Sequence, residues 1–304
     1  MAMIHHENLR IHLVVRDNFR DLQKTLASLC QAATALSGAK DESGRIQISW
    51  LKIFVFDDGS KPRIADQIKK YCEKEMLIWA ERTLLHSRSA FSKGYAEAHN
   101  VLLKESEADS GFLMILQSGI EVDKDFFIQL QDEVLPLSST KARCFIPTVK
   151  YQGKTMAGGA IVSLSCTFKA RKYGPASKEM FLVGLDFVVP YQIFSKTLGF
   201  DSKMPESCVS LELSWRMNEA QWNWQLIPML CLSYPRKYKV LKDAKYYRAR
   251  LLLAKRHLSG WKQKLALLRI YLGCGYRSIF WLTFGSRPDK AVDLLKDVLT
   301  ERPL

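Results

Sequence analysis

The stretch Trp50-Leu51-Lys52-Ile53-Phe54-Val55-Phe56-Asp57-Asp58-Gly59-Ser60 decides how this chain is read. Its first seven residues are apolar and mostly branched or aromatic, Lys52 excepted, which is the composition of a strand covered on both faces. The run then stops at two carboxylates, a glycine and a serine, which is turn chemistry. Ile64, Ile68 and Tyr71 follow at helical spacing. Towards the N-terminus, Arg10 to Val15 (RIHLVV) repeats the scheme: a buried strand, the cap-like pair Asp17-Asn18, then Leu22, Leu26 and Leu29 on one helical face. The polar, glycine-containing segment Leu36 to Ile46 is a loop. Towards the C-terminus come a third strand at Trp79 to Leu85, a helix over Gly94 to Leu103, and a very apolar, central strand at Phe112 to Leu116 (FLMIL). Strands alternating with helices predict an α/β fold with a mostly parallel sheet flanked by helices. Ligands of such sheets sit beyond the carboxyl ends of the strands, so the chemistry is expected after Val15, Phe56 and Leu116.

Further on, Pro147 to Phe187 reads as strands and loops, Pro190 to Leu198 as a short helix, Leu211 to Asn218 as another helix, and Trp224 to Leu232 as a strand. Past Pro235 the pattern changes. Leu251, Leu252 and Leu253, then Leu258, Trp261, Leu265, Leu268 and Leu272, recur at three- and four-residue spacing among basic residues, which predicts an amphipathic helical tail. This divides the chain into residues 1–235 and a basic C-terminal region, 236–304. The net charge of +14 follows the same division: from Arg236 to Arg287 there are 14 Lys or Arg and one acid, Asp243, while the first 235 residues are nearly neutral. A basic tail on a balanced domain points to an anionic surface as partner.

The start of the chain has no basic flank followed by an apolar run, and no stretch reaches the roughly 18 uninterrupted apolar residues of a membrane span, so a cytoplasmic protein is expected. Seven cysteines without a C-x-x-C pair read as reduced thiols. The six histidines do not fall at zinc-ligand spacing with them.

Taken in order, several motifs resemble the family 2 glycosyltransferases, and within them the bacterial rhamnosyltransferase-like group. They are Asn18 with Leu26-x-Ser28-Leu29, the strand end Val55-x-Asp57-Asp58-Gly59-Ser60, Gly94-Tyr95-Ala96-x-x-x-Asn100, Gly184 before a helix, Gly199-Phe200-Asp201, Leu211-Glu212-Leu213-Ser214-Trp215-Arg216, and Tyr246-Tyr247-Arg248 opening the tail. The resemblance covers most of residues 10–250. It implies the GT-A fold, a nucleotide-sugar donor and an inverting transfer to a glycan or lipid-linked acceptor, such as lipopolysaccharide or another bacterial surface polysaccharide, with rhamnose as one candidate sugar. On it, Asp57 and Asp58 accept hydrogen bonds from a nucleobase or ribose while Gly59 turns the chain; the plainer reading of the same residues is a strand-to-helix turn. Gly94 and Asn100 bring a helix to the donor, or else are a loop glycine and a helix-face amide.

The pattern breaks at three landmarks. The resemblance implies an Asp-x-Asp metal motif after the fourth strand, where this chain has Gln117-Ser118-Gly119, an amide and a glycine in place of the charged oxygens a hard cation prefers. Its Glu-Asp pair, holding the general base, falls on Val209-Ser210, and a serine hydroxyl does not replace a carboxylate base. Its metal-binding histidine after the last strand appears as Ser233 or a neighbour. No metal is therefore expected to be required. Arg16, Arg88, Lys93 and Arg216 are the cations placed to meet a diphosphate, with Gln117 and Gly119 on the donor side and Gly184, Ser210 and Arg216 on the acceptor side. Glu206 and Glu212 are the candidate replacement bases, Glu212 otherwise being a helix-face or capping residue; Glu121 and Asp123 read as surface acids. The alternative is an inactive relative that scaffolds or regulates glycan assembly. For the tail, the readings are a helix lying in the anionic inner-membrane leaflet, which makes the protein membrane-peripheral, or a helical hairpin packed on the domain; nucleic acid gains little support, since no recognition module accompanies the charge.

Overall fold

The computed structural model describes residues 6–38, 47–78, 83–106, 110–134, 143–151, 154–156, 159–162, 166, 168–170, 181–182, 186–197, 199–234, 244–284 and 288–299. The apolar runs form strands close to where expected, except that the third runs past Leu85 to Ser89, residues 79–82 lying outside the described residues. β1 (His6–Val15) leads into α1 (Phe19–Gly38), β2 (Gln47–Asp58) into α2 (Pro62–Ile78), and β3 (Thr83–Ser89) into α3 (Tyr95–Glu105). Then come β4 (Phe112–Gln117), β5 (Glu121–Val122), the short α4 (Phe126–Gln129), β6 (Arg143–Tyr151), β7 (Lys154–Met156), β8 (Gly159–Val162), β9 (Phe168–Ala170), β10 (Phe181–Leu182) and β11 (Phe187–Pro190). The chain continues through α5 (Tyr191–Lys196), α6 (Glu206–Glu219) and β12 (Asn223–Tyr234) to the tail helices α7 (Ala244–His257), α8 (Gly260–Phe284) and α9 (Pro288–Leu299).

The main sheet runs β3-β2-β1-β4-β11-β6-β12-β5, with β7 paired to β6, and β10-β8-β9 make a separate small sheet. β3, β2, β1 and β4 are parallel, and their register aligns Val15 with Asp57, Asp57 with Arg88, and Val14 with Gln117. The carboxyl ends of these strands therefore finish side by side, which is what makes a shared site possible. β11 turns the direction, running antiparallel to β4.

β4 shows why an uninterrupted apolar run was required. Phe112, Met114 and Leu116 point into the core formed with Leu22, Leu26 and Leu29 of α1, while Leu113 and Ile115 point into the opposite core. Tyr246, Tyr247, Leu251 and Leu253 of α7 and Ala266, Ile270 and Cys274 of α8 belong to that second core. The tail helices thus pack on one another and on α6, sharing the second core, as the packed-hairpin reading expected, while part of α8 stays outward. Leu251 and Leu253 face inward, and among the described residues most of the exposed large apolar side chains of the tail lie on α8. The helix around Leu211 starts earlier than its apolar pattern suggested, at Glu206. The seven cysteines are free.

Candidate functional site

Beyond the carboxyl ends of β1, β2 and β4 lies a cleft of about 210 Å³ lined by Val14, Arg16, Asp58, Gly94, Tyr95, Gln117, Ser118 and Glu206. Five of the residues singled out in the sequence, Arg16, Asp58, Gly94, Gln117 and Glu206, meet here from five different segments.

Asp58 organises one wall. Its carboxylate accepts from the Ser92 hydroxyl at 2.7 Å, the Lys93 amide at 2.6 Å and the Gly94 amide at 3.1 Å, which draws the loop before α3 over the end of β2. Gly59 permits that approach: it has φ +72°, and a Cβ there would lie 2.5 Å from the Ser92 nitrogen. Arg16 donates to the Ser92 hydroxyl at 2.9 Å, so guanidinium, hydroxyl and carboxylate form one chain along the cleft. Asp57 points away from the lining. It is fully buried, accepts from the Ser60 amide at 2.9 Å and has its other oxygen 3.5 Å from Arg88.

Gln117, at the end of β4, forms the floor with Ser118. Its backbone amide donates to Asp186 at 2.8 Å and its side-chain NH2 to the same carboxylate at 3.3 Å; the Tyr234 hydroxyl donates to Asp186 as well. Burial pushes the Asp186 carboxyl up to about 7, against the lowering effect of the Gln117 hydrogen bonds. Asp186 was missed in the sequence because a lone Asp before an apolar run carries no motif; the signal is its burial beside Gln117.

Glu206 opens onto the cleft at the start of α6. Crowding by surrounding protein, and then the charge of Asp58, raise its pKa above the ordinary glutamate value. The other proposed residues lie elsewhere. Glu212 is buried and holds Arg216 through two contacts, at 2.7 and 2.9 Å, while Arg216 also donates to the carbonyls of Thr197 and Gly199. Asn100 bonds the Phe200 backbone, and the Gly119 amide donates to Thr25 Oγ1 at 2.8 Å. Ser210 is buried in α6, and its carbonyl accepts from the Ser214 hydroxyl. Gly184 lies outside the described residues.

Behind Tyr95 sits a second unanticipated feature. His99 is completely buried, 4.3 Å from the Tyr95 ring and 6.2 Å from the stacked ring of His12, and neither of its ring nitrogens has a hydrogen-bond partner among the described residues. Burial lowers its pKa to about 3, so it is neutral at physiological pH.

No family model matches the sequence, and neither does any curated protein. Solved structures do match. The chain superposes on Staphylococcus aureus TarS (residues 1–349) with TM-score 0.57 and 13% identity, covering 97% of this chain and 81% of that one. It superposes on GalNAc-T7, solved with UDP, GalNAc and Mn2+, with TM-score 0.61 and 13% identity, covering 96% of this chain and 54% of that one. A third match is the mannosyltransferase PcManGT from Pyrobaculum calidifontis in complex with GDP-Man and Mn2+, at TM-score 0.53 and 10% identity, covering 99% and 77%.

The fold is that of the GT-A glycosyltransferases.

Two of these GT-A structures hold Mn2+. The described residues at the corresponding position of this chain do not fit such an ion. The first position of the expected Asp-x-Asp is the amide of Gln117, already engaged with Asp186, and the third is Gly119. Among the described residues no three His, Cys, Asp or Glu side chains converge as a ligand set.

Proposed function

We propose that the chain is a glycosyltransferase that moves a sugar from a nucleotide-sugar donor to a glycan or lipid-linked acceptor, without a metal held in the Asp-x-Asp manner. One observation carries this reading: Arg16, Asp58, Gln117 and Glu206 line a single cleft at the carboxyl ends of parallel strands in a GT-A fold. Asp58 accepts hydrogen bonds from the base or ribose. Glu206 takes the proton of the acceptor hydroxyl, and the rise of its pKa above the ordinary glutamate value makes it a stronger base for that task. The hydroxyl oxygen bonds to the anomeric carbon as the bond from that carbon to the diphosphate oxygen breaks. The electron pair leaves with the nucleoside diphosphate, whose charge Arg16 meets. Rhamnose transfer to a bacterial surface polysaccharide is the specific form suggested by the motif order.

The test is release of nucleoside diphosphate from a panel of UDP-, GDP- and dTDP-sugars with an acceptor glycan, comparing wild type with Glu206→Gln. Turnover abolished by the substitution supports the reading. Equal turnover in both removes Glu206 from it. The second reading, an inactive relative that scaffolds glycan assembly, is favoured by Ser210 at the position of the expected base and predicts no release of nucleoside diphosphate; absence of nucleotide binding altogether favours it over the enzyme.

The same protein is proposed to work at an anionic membrane surface, on the cytoplasmic side, through α8. Of the eleven large apolar residues that stay exposed among the described residues, seven lie on this helix. Trp261, Leu268, Leu272, Tyr276 and Ile279 form one stripe, on the side opposite the buried Ala266, Ile270 and Cys274. Lys262, Lys264 and Arg269 flank the stripe, and no acid occurs between Ala244 and Phe284. A second copy seated on this face would bring like charges together, whereas anionic lipid complements them. No helix among the described residues is long and apolar enough to cross a membrane, so α8 would lie in the interface plane.

A further inference from the structure

We propose that Asp186 is a positioning residue for the donor subsite: it fixes the side-chain amide of Gln117 so that its carbonyl oxygen faces the cleft as a neutral hydrogen-bond acceptor for a hydroxyl of the bound nucleotide sugar. The inference rests on the donor reading of the cleft and deepens it.

The argument begins with what Asp186 costs. A buried carboxylate is unfavourable unless a cation or several donors compensate it. Asp186 is 4% exposed, and among the described residues its hydrogen-bond partners are all uncharged: the Gln117 amide, the Gln117 side-chain NH2 and the Tyr234 hydroxyl. Its pKa of about 7 registers the resulting desolvation. If the carboxyl only had to tie β4 to its neighbours, the uncharged amide of an asparagine would accept from the Gln117 backbone at lower cost. In its ionised form, which dominates above a pH of about 7, the carboxylate does one thing an amide does not: it accepts only, and therefore dictates the orientation of whatever faces it.

What faces it is the floor of the cleft. β11 begins at Phe187, paired with Ile115 of β4, so Asp186 lies beside the last residues of β4 just where Gln117 leaves the sheet. Because the carboxylate holds the NH2, the amide oxygen is the end of Gln117 left for the cleft. Tyr234 closes the arrangement from the end of β12. The same three side chains thus join the ends of β4 and β12, where the resemblance implies metal ligands, with hydrogen bonds. Asp186→Asn would reverse the logic. The Gln117 backbone would claim the Asn oxygen, the Asn NH2 would face Gln117, and the Gln117 amide would turn its NH2 to the cleft.

Three proteins decide it: Asp186→Asn, Gln117→Met and the double variant, each titrated by calorimetry with the UDP-, GDP- and dTDP-sugar that wild type binds best. Asp186→Asn is expected to weaken binding about tenfold, Gln117→Met by a similar factor, and the double variant no more than either single one. The Gln117 side-chain NH2 resonances, assigned by their loss in Gln117→Met, should shift in Asp186→Asn while backbone resonances distant from β4 stay in place. Should Asp186→Asn fold poorly, Tyr234→Phe serves instead and is expected to weaken binding about threefold. Single effects that multiply in the double variant, or an Asp186→Asn protein that binds as wild type does, overturn the inference and leave the donor reading intact. Failure of wild type to bind any nucleotide sugar overturns both.

Discussion

Asn100 clasps the backbone of Phe200: its NH2 donates to the Phe200 carbonyl at 2.8 Å and its amide oxygen accepts from the Phe200 N–H at 2.9 Å. Two motifs a hundred residues apart are thereby joined, α3 to the Gly199-Phe200-Asp201 turn. Gly199 belongs to the same joint, with φ +68° and a hypothetical Cβ only 2.4 Å from the Asn100 oxygen. Asn100→Ala should therefore lower unfolding free energy by about 2 kcal/mol in urea titrations, the scale of two lost hydrogen bonds with a backbone group left unsatisfied. Nucleotide affinity should change less than twofold. A large loss of affinity with stability unchanged would return Asn100 to the donor site.

The two candidate bases separate cleanly by position. Glu206→Gln is expected to reduce turnover by about 10²- to 10⁴-fold with donor affinity kept, because proton transfer is lost while the cleft stands. Glu212→Gln should instead destabilise the fold by about 3 kcal/mol, because Arg216 would lose its carboxylate partner inside the protein. Thermal unfolding alongside turnover assays tells the two apart. The reverse pattern would assign the base to Glu212.

Much of this was legible in the sequence. Strands β1, β2 and β4 announce themselves by apolar runs that can only be covered on both faces, and the parallel order then places Asp58, Arg16 and Gln117 at one edge. Glu206 was within reach because it stands close to Val209-Ser210, where the resemblance puts the base. What periodicity cannot show is which polar residues satisfy one another: Glu212 with Arg216, Asn100 with Phe200, and Asp186 with Gln117 are pairings of the folded chain, and their residue types alone suit a catalytic or a structural role equally. The tail illustrates the same limit. Leucines at helical spacing reveal apolar faces, but only packing decides that those of α7 turn inward and that α8 carries apolar residues on two opposite sides.

Two buried groups set opposing pH dependences of stability. His99 has its pKa lowered to about 3 by burial, below the ordinary 6.5, so its contribution is complete above 6.5 and is lost as the pH falls from there towards 3. Asp186 has its pKa raised to about 7 from 3.8, so its contribution is complete below 3.8 and is lost as the pH rises through 7. Melting temperatures from pH 4 to 8 should fall less steeply on the acid side in His99→Phe and less steeply on the alkaline side in Asp186→Asn. Curves parallel to wild type in both variants would contradict these assignments.

For α8, flotation of the full-length protein with phosphatidylcholine vesicles containing phosphatidylglycerol should recover most of it, and vesicles of phosphatidylcholine alone should recover little. Leu268→Glu with Leu272→Glu, both exposed, should abolish recovery and leave the melting temperature within a few degrees of wild type. Undiminished flotation of the double variant would remove α8 from membrane binding. A wild-type dimer that the same substitutions dissociate would reassign the stripe to self-association.

The most direct test of the central claim is calorimetric titration of wild type and Asp58→Ala with UDP, GDP and dTDP, with and without Mn2+. The account predicts that at least one nucleotide binds wild type with the same affinity whether or not Mn2+ is present, and that Asp58→Ala weakens it at least tenfold. Binding that appears only with Mn2+, or that survives Asp58→Ala unchanged, would contradict it.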